Sequence, residues 1–225
     1  MLEALRSDSV TVNTLTCEKG RNDSITALAR NRGVKIQFVD KSVLDKLSVT
    51  GKHQGYVAEI TEFDYCQVED LLVDDNPLIV VLDGIADPHN FGSIIRVCEC
   101  AGVSGIIIGK NRQVAVTDTV VRCSAGAINH VKIARVTNVN NAIKDLQQAG
   151  VWVYACDMDG RDVTTQNLTG SVALVIGSEG FGVSKLTKEL CDGVVSLKLN
   201  GKVNSLNASV ACGIAVYEAV RQRCN

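Results

Sequence analysis

The sequence predicts an α/β protein of two units with a parallel β-sheet, and two observations support this prediction. Short apolar runs of strand length alternate with segments of helical periodicity along nearly all of the 225 residues. This alternation favours βαβ units, in which helices cover both faces of a parallel sheet. The chain also divides into two parts of opposite net charge, which indicates two units rather than one.

An acidic segment at residues 62–77 separates the two parts, with six acidic residues and no basic one. Residues 1–76 carry a net charge of −4, from nine Lys and Arg against 13 Asp and Glu, whereas the remainder carries +2. We therefore predict a smaller unit at 1–61, a linker containing a short helix at 62–77, and a larger unit at 78–225. A solvated surface helix within a single domain is an alternative interpretation of the acidic segment.

The predicted elements follow the apolar pattern of each part. In the first part, strands are expected at 10–15, 36–39 and 56–60, with helices at 25–32 and 41–47. In the second part, strands are expected at 78–82, 105–108, 152–156, 172–176 and 194–197, with helices at 91–101, 119–127, 139–149, 185–190 and about 207–223. Ligands of parallel sheets gather at loops that leave the carboxyl ends of strands, so those loops are the candidate site.

Composition excludes several classes of protein. No apolar run approaches the roughly 20 residues of a membrane helix, and the first residues lack a secretory signal core, which predicts a cytoplasmic protein. Nine scattered cysteines without paired C-x-x-C spacing predict reduced thiols and no structural metal. A net charge of −2 is unusual for a general nucleic-acid binder, so any RNA contact would have to use a local basic patch.

The first candidate loop, at 83–92, leads into a helix that carries Arg96. Asn90 stands where a helix N-cap is expected, and Arg96 follows within two turns. Taken by itself, this pattern also fits a capped helix with a solvent-facing arginine.

The second candidate loop follows an apolar strand that ends at Ile176 and Gly177. Three glycines within residues 177–182 would let the backbone approach a ligand closely, and Glu179 supplies a carboxylate. The spacing matches neither G-x-G-x-x-G nor the P-loop pattern, which excludes dinucleotide and P-loop sites. A plain tight turn is the alternative interpretation.

The third candidate loop, at 197–207, precedes the final helix. Ser205 and Asn207 place short polar side chains where backbone N–H groups of a helix start are free. Within the helix, Val210, Ile214 and Tyr217 recur at helical spacing, which we interpret as a core-facing stripe.

Together, in order and spacing, these three loops resemble the motifs of SpoU-type (TrmH-like) RNA 2′-O-methyltransferases. The segments Glu3-Ala4-Leu5 and His53-Gln54-Gly55-Tyr56 are similar to the small L30e-like RNA-binding domain of the branch that methylates guanosine in bacterial 23S rRNA. Residues 216–222 resemble the C-terminal segment of that branch, so the resemblance covers essentially the full length. Family members usually carry several residues before the Glu-Ala-Leu segment, and the resemblance indicates that these are missing here.

The resemblance implies a trefoil-knotted C-terminal domain, a homodimer, and S-adenosylmethionine bound in the knot without a metal. It implies an RNA 2′-O-methyltransferase acting on a guanosine of 23S rRNA. The implied catalytic positions are Asn90, Arg96, Glu179, Ser205 and Asn207. The implied cofactor-binding positions are Ile176, Gly177, Glu179, Leu197, Leu199, Ser205, Leu206 and Asn207. The third motif departs from the family pattern, with Lys198 and Leu199 where Pro and Met are usual.

Two features of this interpretation leave alternatives open. Arg96 matches the catalytic arginine of the family, but a guanidinium with a pKa above about 12 is a poor general base. We therefore expect Arg96 to bind an RNA phosphate and to stabilise developing alkoxide charge, with base catalysis as the alternative. A tRNA ribose methyltransferase and a non-catalytic knotted RNA-binding protein are the alternative functions.

Overall fold

The protein is described from a computed structural model, which covers residues 2–6, 12–48, 51, 53–60, 63–202 and 205–224. Contacts within the chain divide it into two compact units, residues 1–64 and residues 65–225. The predicted starts of the first strand, at residue 10, and of the linker, at residue 62, lie outside the described residues.

The first unit is a three-stranded sheet with three helices. Its strands are β1 (Val12–Glu18), β2 (Lys35–Val39) and β3 (Tyr56–Ile60), and its helices are α1 (Leu2–Arg6), α2 (Ser24–Asn31) and α3 (Lys41–Leu47). Strand β1 lies in the centre, parallel to β2 and antiparallel to β3. Leu5, Leu15 and Cys17 are buried in a small core together with Ala29 and Tyr56.

The His-Gln-Gly segment of this unit forms the turn that precedes β3. Gln54 and Gly55 both have positive φ angles, and the His53 Nδ1 atom accepts a hydrogen bond from the Gly55 N–H at 2.9 Å. The other ring nitrogen of His53 lies 2.9 Å from a carboxylate oxygen of Asp45. This histidine therefore holds the turn, which is a structural role.

The second unit contains six strands in one parallel sheet, as the alternating pattern predicts. They are β4 (Leu78–Asp83), β5 (Gly105–Gly109), β6 (Ile133–Val136), β7 (Trp152–Asp162), β8 (Val172–Gly177) and β9 (Gly193–Ser196), in the order β6-β5-β4-β8-β7-β9. All five sheet pairings are parallel, so every strand ends at the same edge. Strand β6 is absent from the sequence prediction, because it has only four residues and includes the charged Arg135.

Helices cover both faces of this sheet. They are α4 (Pro88–Cys100), α5 (Asp118–Cys123), α6 (Val139–Gln148), α7 (Lys185–Leu190) and α8 (Ala208–Arg223). One face packs against α6 through Ala142, Ile143 and Leu146, and a short 3-10 helix, Val68–Leu71, buries Leu71 in the same core. Helix α4 packs against α5 and α8, and α4 and α8 also contact strands β5 and β8, respectively. Most of the acidic segment thus belongs to the second unit.

Two predictions for the helices α4 and α5 are wrong. Helix α4 begins at Pro88, and its N-cap is Asp87, whose side chain accepts the His89 N–H at 3.1 Å. Asn90 is therefore not the cap but a buried residue inside the first turn. The helix predicted at 119–127 ends at Cys123, because the residues at 125 and 126 have positive φ angles, which stop a right-handed helix.

Helix α8 is fixed at its C-terminal end by Arg223. Its guanidinium donates hydrogen bonds to the carbonyl oxygens of Asn76 at 2.8 Å, Pro77 at 3.3 Å, Leu168 at 3.1 Å and Gly170 at 2.6 Å. These residues precede β4 and β8, so the contact ties the helix to the amino edge of the sheet. Burial of the guanidinium lowers the pKa of Arg223.

The predicted apolar stripe of α8 is not in the core. Val210, Ile214 and Tyr217 are each about half exposed, at 49%, 47% and 49%. The buried face instead consists of small residues, including Cys212 and Ala215. Helical spacing shows that residues share a face but not which face is covered, so this prediction is wrong.

Candidate active site

The three candidate loops converge at the carboxyl edge of the six-stranded sheet. They follow β4, β8 and β9, and β8 lies directly between β4 and β7. Because all six strands are parallel, these loops leave the sheet on the same side, as the strand-end rule predicts.

The loop after β8 is a closed turn that requires glycine at its start. The Ser178 N–H donates to the Gly182 carbonyl at 3.1 Å, and the Gly182 N–H donates back to the Ser178 carbonyl at 2.9 Å. A Cβ atom on Gly177 would lie only 2.0 Å from the Gly182 carbonyl carbon. The backbone of the turn therefore occupies the space that any other side chain at position 177 would need.

A cavity of about 410 Å³ lies beside this turn. Seven of the sequence-predicted residues line it: Ile176, Gly177, Glu179, Leu197, Leu199, Ser205 and Leu206. The remaining walls come from the rest of the glycine turn, from the middle of β7, from Val195 in β9 and from the start of α8. The cavity is thus built from three neighbouring strands, the loops after β8 and β9, and one helix start.

Asn90, Glu179 and Asn207 form a closed hydrogen-bond network at this cavity. The Asn90 amide donates to Glu179 Oε1 at 2.8 Å, and the Asn207 amide donates to the same oxygen at 2.6 Å and to Asn90 Oδ1 at 2.8 Å. The Asn207 side-chain oxygen also caps α8 by accepting the N–H groups of Ser209 at 3.0 Å and Val210 at 3.3 Å. Three residues that are far apart in sequence are therefore held together by side-chain contacts.

Arg96 does not join this network. It lies on the exposed side of α4, six residues after Asn90, and it is not part of the cavity wall. Within the described part of the chain, its guanidinium makes no hydrogen bond or ion pair. The arginine is therefore available for a ligand that approaches from outside the cavity.

Comparison with known proteins identifies the family of this chain. The model of the SpoU rRNA methylase family matches residues 77–217, and a model for RNA 2′-O ribose methyltransferase substrate binding matches residues 1–66. The chain belongs to the SpoU rRNA methylase family.

Individual relatives agree with this assignment over nearly the whole chain. The protein is 40% identical to the TrmH family protein YacO of Bacillus subtilis, covering 99% of this chain and 93% of that protein. It is 38% identical to the 23S rRNA (guanosine-2′-O-)-methyltransferase RlmB of Vibrio cholerae, covering 91% and 87%. Among solved structures, the SpoU methyltransferase AviRb of Streptomyces viridochromogenes in complex with AdoMet superimposes with a TM-score of 0.84 at 27% identity, covering 99% and 87%.

The sequence prediction missed one wall of this SpoU cavity, formed by Cys156, Asp157 and Met158 in β7. The strand-end rule could have found it, because these residues follow a predicted strand that ends at position 156. Asp157 accepts the Val183 N–H at 3.2 Å, so its carboxylate braces the chain just beyond the glycine turn. The tip of that turn, Phe181, also lines the cavity and is 93% exposed.

The charged residues of the cavity wall are acidic. Among the described residues that line it, the acidic side chains are Asp157 and Glu179, and no Lys or Arg contributes. Lys188 pairs with Asp157 at 3.2 Å from outside the cavity and with Asp159 at 3.3 Å. Burial raises the pKa of the Cys156 thiol, which keeps this side chain neutral. Within the described residues, no cluster of His, Cys, Asp and Glu suited to a metal is found.

Proposed function

We propose that this SpoU family member transfers a methyl group from S-adenosylmethionine to a ribose 2′-hydroxyl of RNA. The observation that carries the proposal is the network of Asn90, Glu179 and Asn207, which joins all three strand-end loops beside the cavity. Two of these loops surround the cavity, and the first supplies Asn90 and leads to Arg96.

The cavity fits a nucleoside-sized cationic molecule. Its volume of about 410 Å³ falls within the range of about 300–1,000 Å³ for small-molecule sites. Apolar side chains such as Leu199 and Leu206 can cover an adenine ring, while the Glu179 carboxylate, which has neutral amides as partners, favours a positively charged ligand. When bound, S-adenosylmethionine supplies an electrophilic methyl group on a sulfonium, which needs no metal or redox partner.

Residues of the chain then have separate roles in orienting the site and in binding RNA. Asn90 and Asn207 orient Glu179, and Ser205 adds a hydroxyl to the wall of the cavity. Arg96, exposed and without an ion pair among the described residues, binds an RNA phosphate and stabilises negative charge at the attacking oxygen. A permanently charged guanidinium suits this role better than proton abstraction, so the proton of the 2′-hydroxyl leaves to solvent water as the O–CH3 bond forms and the S–CH3 bond breaks.

The proposed substrate is a guanosine of 23S rRNA. Support comes from the relative RlmB, whose name states this activity, and from the match of residues 1–66 to a substrate-binding model. We assign the L30e-like, RNA-binding role to residues 1–61 and methyl transfer to 78–225. We propose that 62–77 connects them, although from residue 65 it packs with the second unit. A ribosomal substrate would place the protein in the cytoplasm. No helix in the described ranges is long and apolar enough to cross a membrane. The trefoil knot and the homodimer stay predictions.

The test measures cofactor binding and methyl transfer separately. Calorimetry with S-adenosylmethionine should give a signal that a chelator does not change. Radiolabelled methyl transfer, followed by mass mapping of ribose methylation, should then identify a guanosine in 23S rRNA. Asn90→Ala should lower transfer, whereas Asn141→Ala, an exposed amide on α6, should not.

Each other outcome contradicts a different part of the proposal. Absence of binding at millimolar S-adenosylmethionine would refute the assignment of the cavity. Binding without transfer to any RNA would favour the non-catalytic protein, and transfer to tRNA alone would replace the substrate but keep the chemistry.

A further inference from the structure

The loop that follows β5, at residues 110–117, lies next to the proposed active site although it contributes nothing to the cavity wall. A Cβ atom on Gly84 would lie 3.7 Å from the Arg112 carbonyl oxygen and 3.7 Å from the Ser178 Cβ. The two neighbours therefore face each other across Gly84. Ser178 lines the cavity, so the Arg112 backbone lies at the border of the site.

Hydrogen bonds fix this loop to the one that begins α4. The Ile85 N–H donates to the side-chain oxygen of Gln113 at 2.7 Å, and the Val114 N–H donates to the Ile85 carbonyl at 2.9 Å. The Lys110 N–H donates to the Val136 carbonyl at 2.8 Å, which fixes the other side of the loop. The loop is therefore held in place beside the segment that supplies Asn90.

This region carries a net positive charge. Within residues 105–135 the basic residues are Lys110, Arg112, Arg122, Lys132 and Arg135, and the acidic residue is Asp118. Lys132 and Arg135 are engaged, by the Asp70 carbonyl at 2.9 Å and by the Tyr65 ring at 5.3 Å. Lys110 and Arg112 are both exposed, and neither side chain makes a hydrogen bond or ion pair with any described residue.

The backbone of Arg112 adopts a conformation that is unusual for arginine. Its φ angle is +57°, in the left-handed region that favours glycine or asparagine over a long side chain. An arginine held in such a conformation at the border of a site is a candidate for a functional role.

We propose that Lys110 and Arg112 form a phosphate-binding strip that holds the RNA backbone next to the target ribose. The proposal rests on the proposed function, because it places the RNA at the mouth of the cavity. The wall of the cavity is acidic and the whole chain has a net charge of −2, so a polyanion needs local cations to approach the site. Lysine and arginine without carboxylate partners supply them at low desolvation cost.

The test compares salt dependence of RNA binding in the full-length protein. Fluorescence anisotropy with a single-stranded RNA oligonucleotide is measured over a series of KCl concentrations for wild type and Lys110→Gln/Arg112→Gln. Each lost phosphate contact should reduce the slope of log affinity against log salt by about 0.7, so the double variant should lose about 1.4. Lys144→Gln, an exposed lysine on α6, is the matched control and should keep the wild-type slope.

A second variant separates charge from backbone conformation. Arg112→Gly removes the guanidinium but suits the positive φ angle better, so its thermal stability should equal or exceed that of wild type while its RNA affinity falls. S-adenosylmethionine binding should stay unchanged in every variant. If the double variant retains the wild-type slope, or if Arg112→Gly binds RNA as tightly as wild type, the strip does not exist. If the wild type does not bind S-adenosylmethionine, the proposed function is refuted. The salt slopes would then still decide whether the phosphate-binding strip exists.

Discussion

At the scale of single residues, Gly177 is the position where the site tolerates least change. Gly177→Ala would place a Cβ 2.0 Å from backbone that cannot move without opening the Ser178–Gly182 turn. We expect the variant to lose S-adenosylmethionine binding and to be destabilised by at least about 2 kcal/mol, as overpacking of rigid surroundings costs. Calorimetry and denaturant unfolding would measure the two effects.

Gly170→Ala is the matched control for this prediction. A Cβ at position 170 would meet no atom within 4 Å, and its φ angle lies outside the left-handed region. We expect cofactor binding like that of wild type and equal or slightly higher stability, since alanine restricts the unfolded chain. Similar losses in both variants would mean that the close approach of the turn is not the cause.

Substitution of Arg96, also a single residue, distinguishes cofactor binding from methyl transfer. Arg96→Ala should lower single-turnover methyl transfer by about 10²- to 10³-fold, the range for loss of a fixed charge-stabilising group. S-adenosylmethionine affinity should change little, because Arg96 is not part of the cavity wall. Arg96→Lys should restore little activity, since an ammonium lacks the planar fork of the guanidinium. A near-normal rate in Arg96→Ala would remove Arg96 from the mechanism, and a near-normal rate in Arg96→Lys would show that a positive charge suffices without the planar fork.

At the scale of elements, the strand–helix alternation was sufficient to predict the sheet and the loops that meet at its edge. The failures have physical causes. Strand β6 is too short for a periodic signal, and α5 ends because the chain takes left-handed conformations at Ala125 and Gly126. The cap of α4 was misassigned because Asn90 and Asp87 both suit an N-cap. The contact between Asn90 and Glu179 spans 89 residues and leaves no local sequence pattern.

The end of α8 provides a prediction about pH. The Glu218 carboxylate accepts hydrogen bonds from Arg221 at 2.8 and 2.9 Å and from Gln222 at 2.8 Å, and these lower the pKa of Glu218 to about 2. A carboxylate whose pKa is lowered in the folded protein stabilises the folded state at pH values above its ordinary pKa of about 4.3. This contribution disappears as the pH falls towards 2.

Glu218→Gln should therefore weaken the dependence of stability on pH in that acidic range. The measurement is the denaturant midpoint of wild type and variant, at neutral pH and at about pH 3. We expect the variant to be less stable at neutral pH, with the difference shrinking in acid. A constant difference at both pH values would show that the Glu218 contacts do not contribute through charge.

At the scale of the whole molecule, the half-exposed stripe of α8 supports the predicted homodimer. Val210, Ile214 and Tyr217 present apolar side chains in a row on one helix face, and interfaces between identical chains are rich in such surface. Ile214→Asp should give a particle of 24.0 kDa by light scattering, whereas wild type should have twice that mass. Val73→Asp, an exposed valine outside α8, is the control and should leave the mass of the dimer unchanged. A wild-type monomer at micromolar concentration would refute the prediction.

The two ends of α8 connect the site to the opposite edge of the sheet. Over 16 residues the helix spans about 24 Å, from Asn207 in the amide–carboxylate network to Arg223 on the carbonyls that precede β4 and β8. Helix α8 is held by hydrogen bonds at both ends. Fraying of the helix at Arg223 would therefore displace Asn207, the N-cap residue that positions Glu179. In hydrogen-exchange terms, the amides of the first turn of α8 should open together with the sheet rather than as an independent loop. Such exchange would place the candidate site in the same cooperative unfolding unit as the sheet.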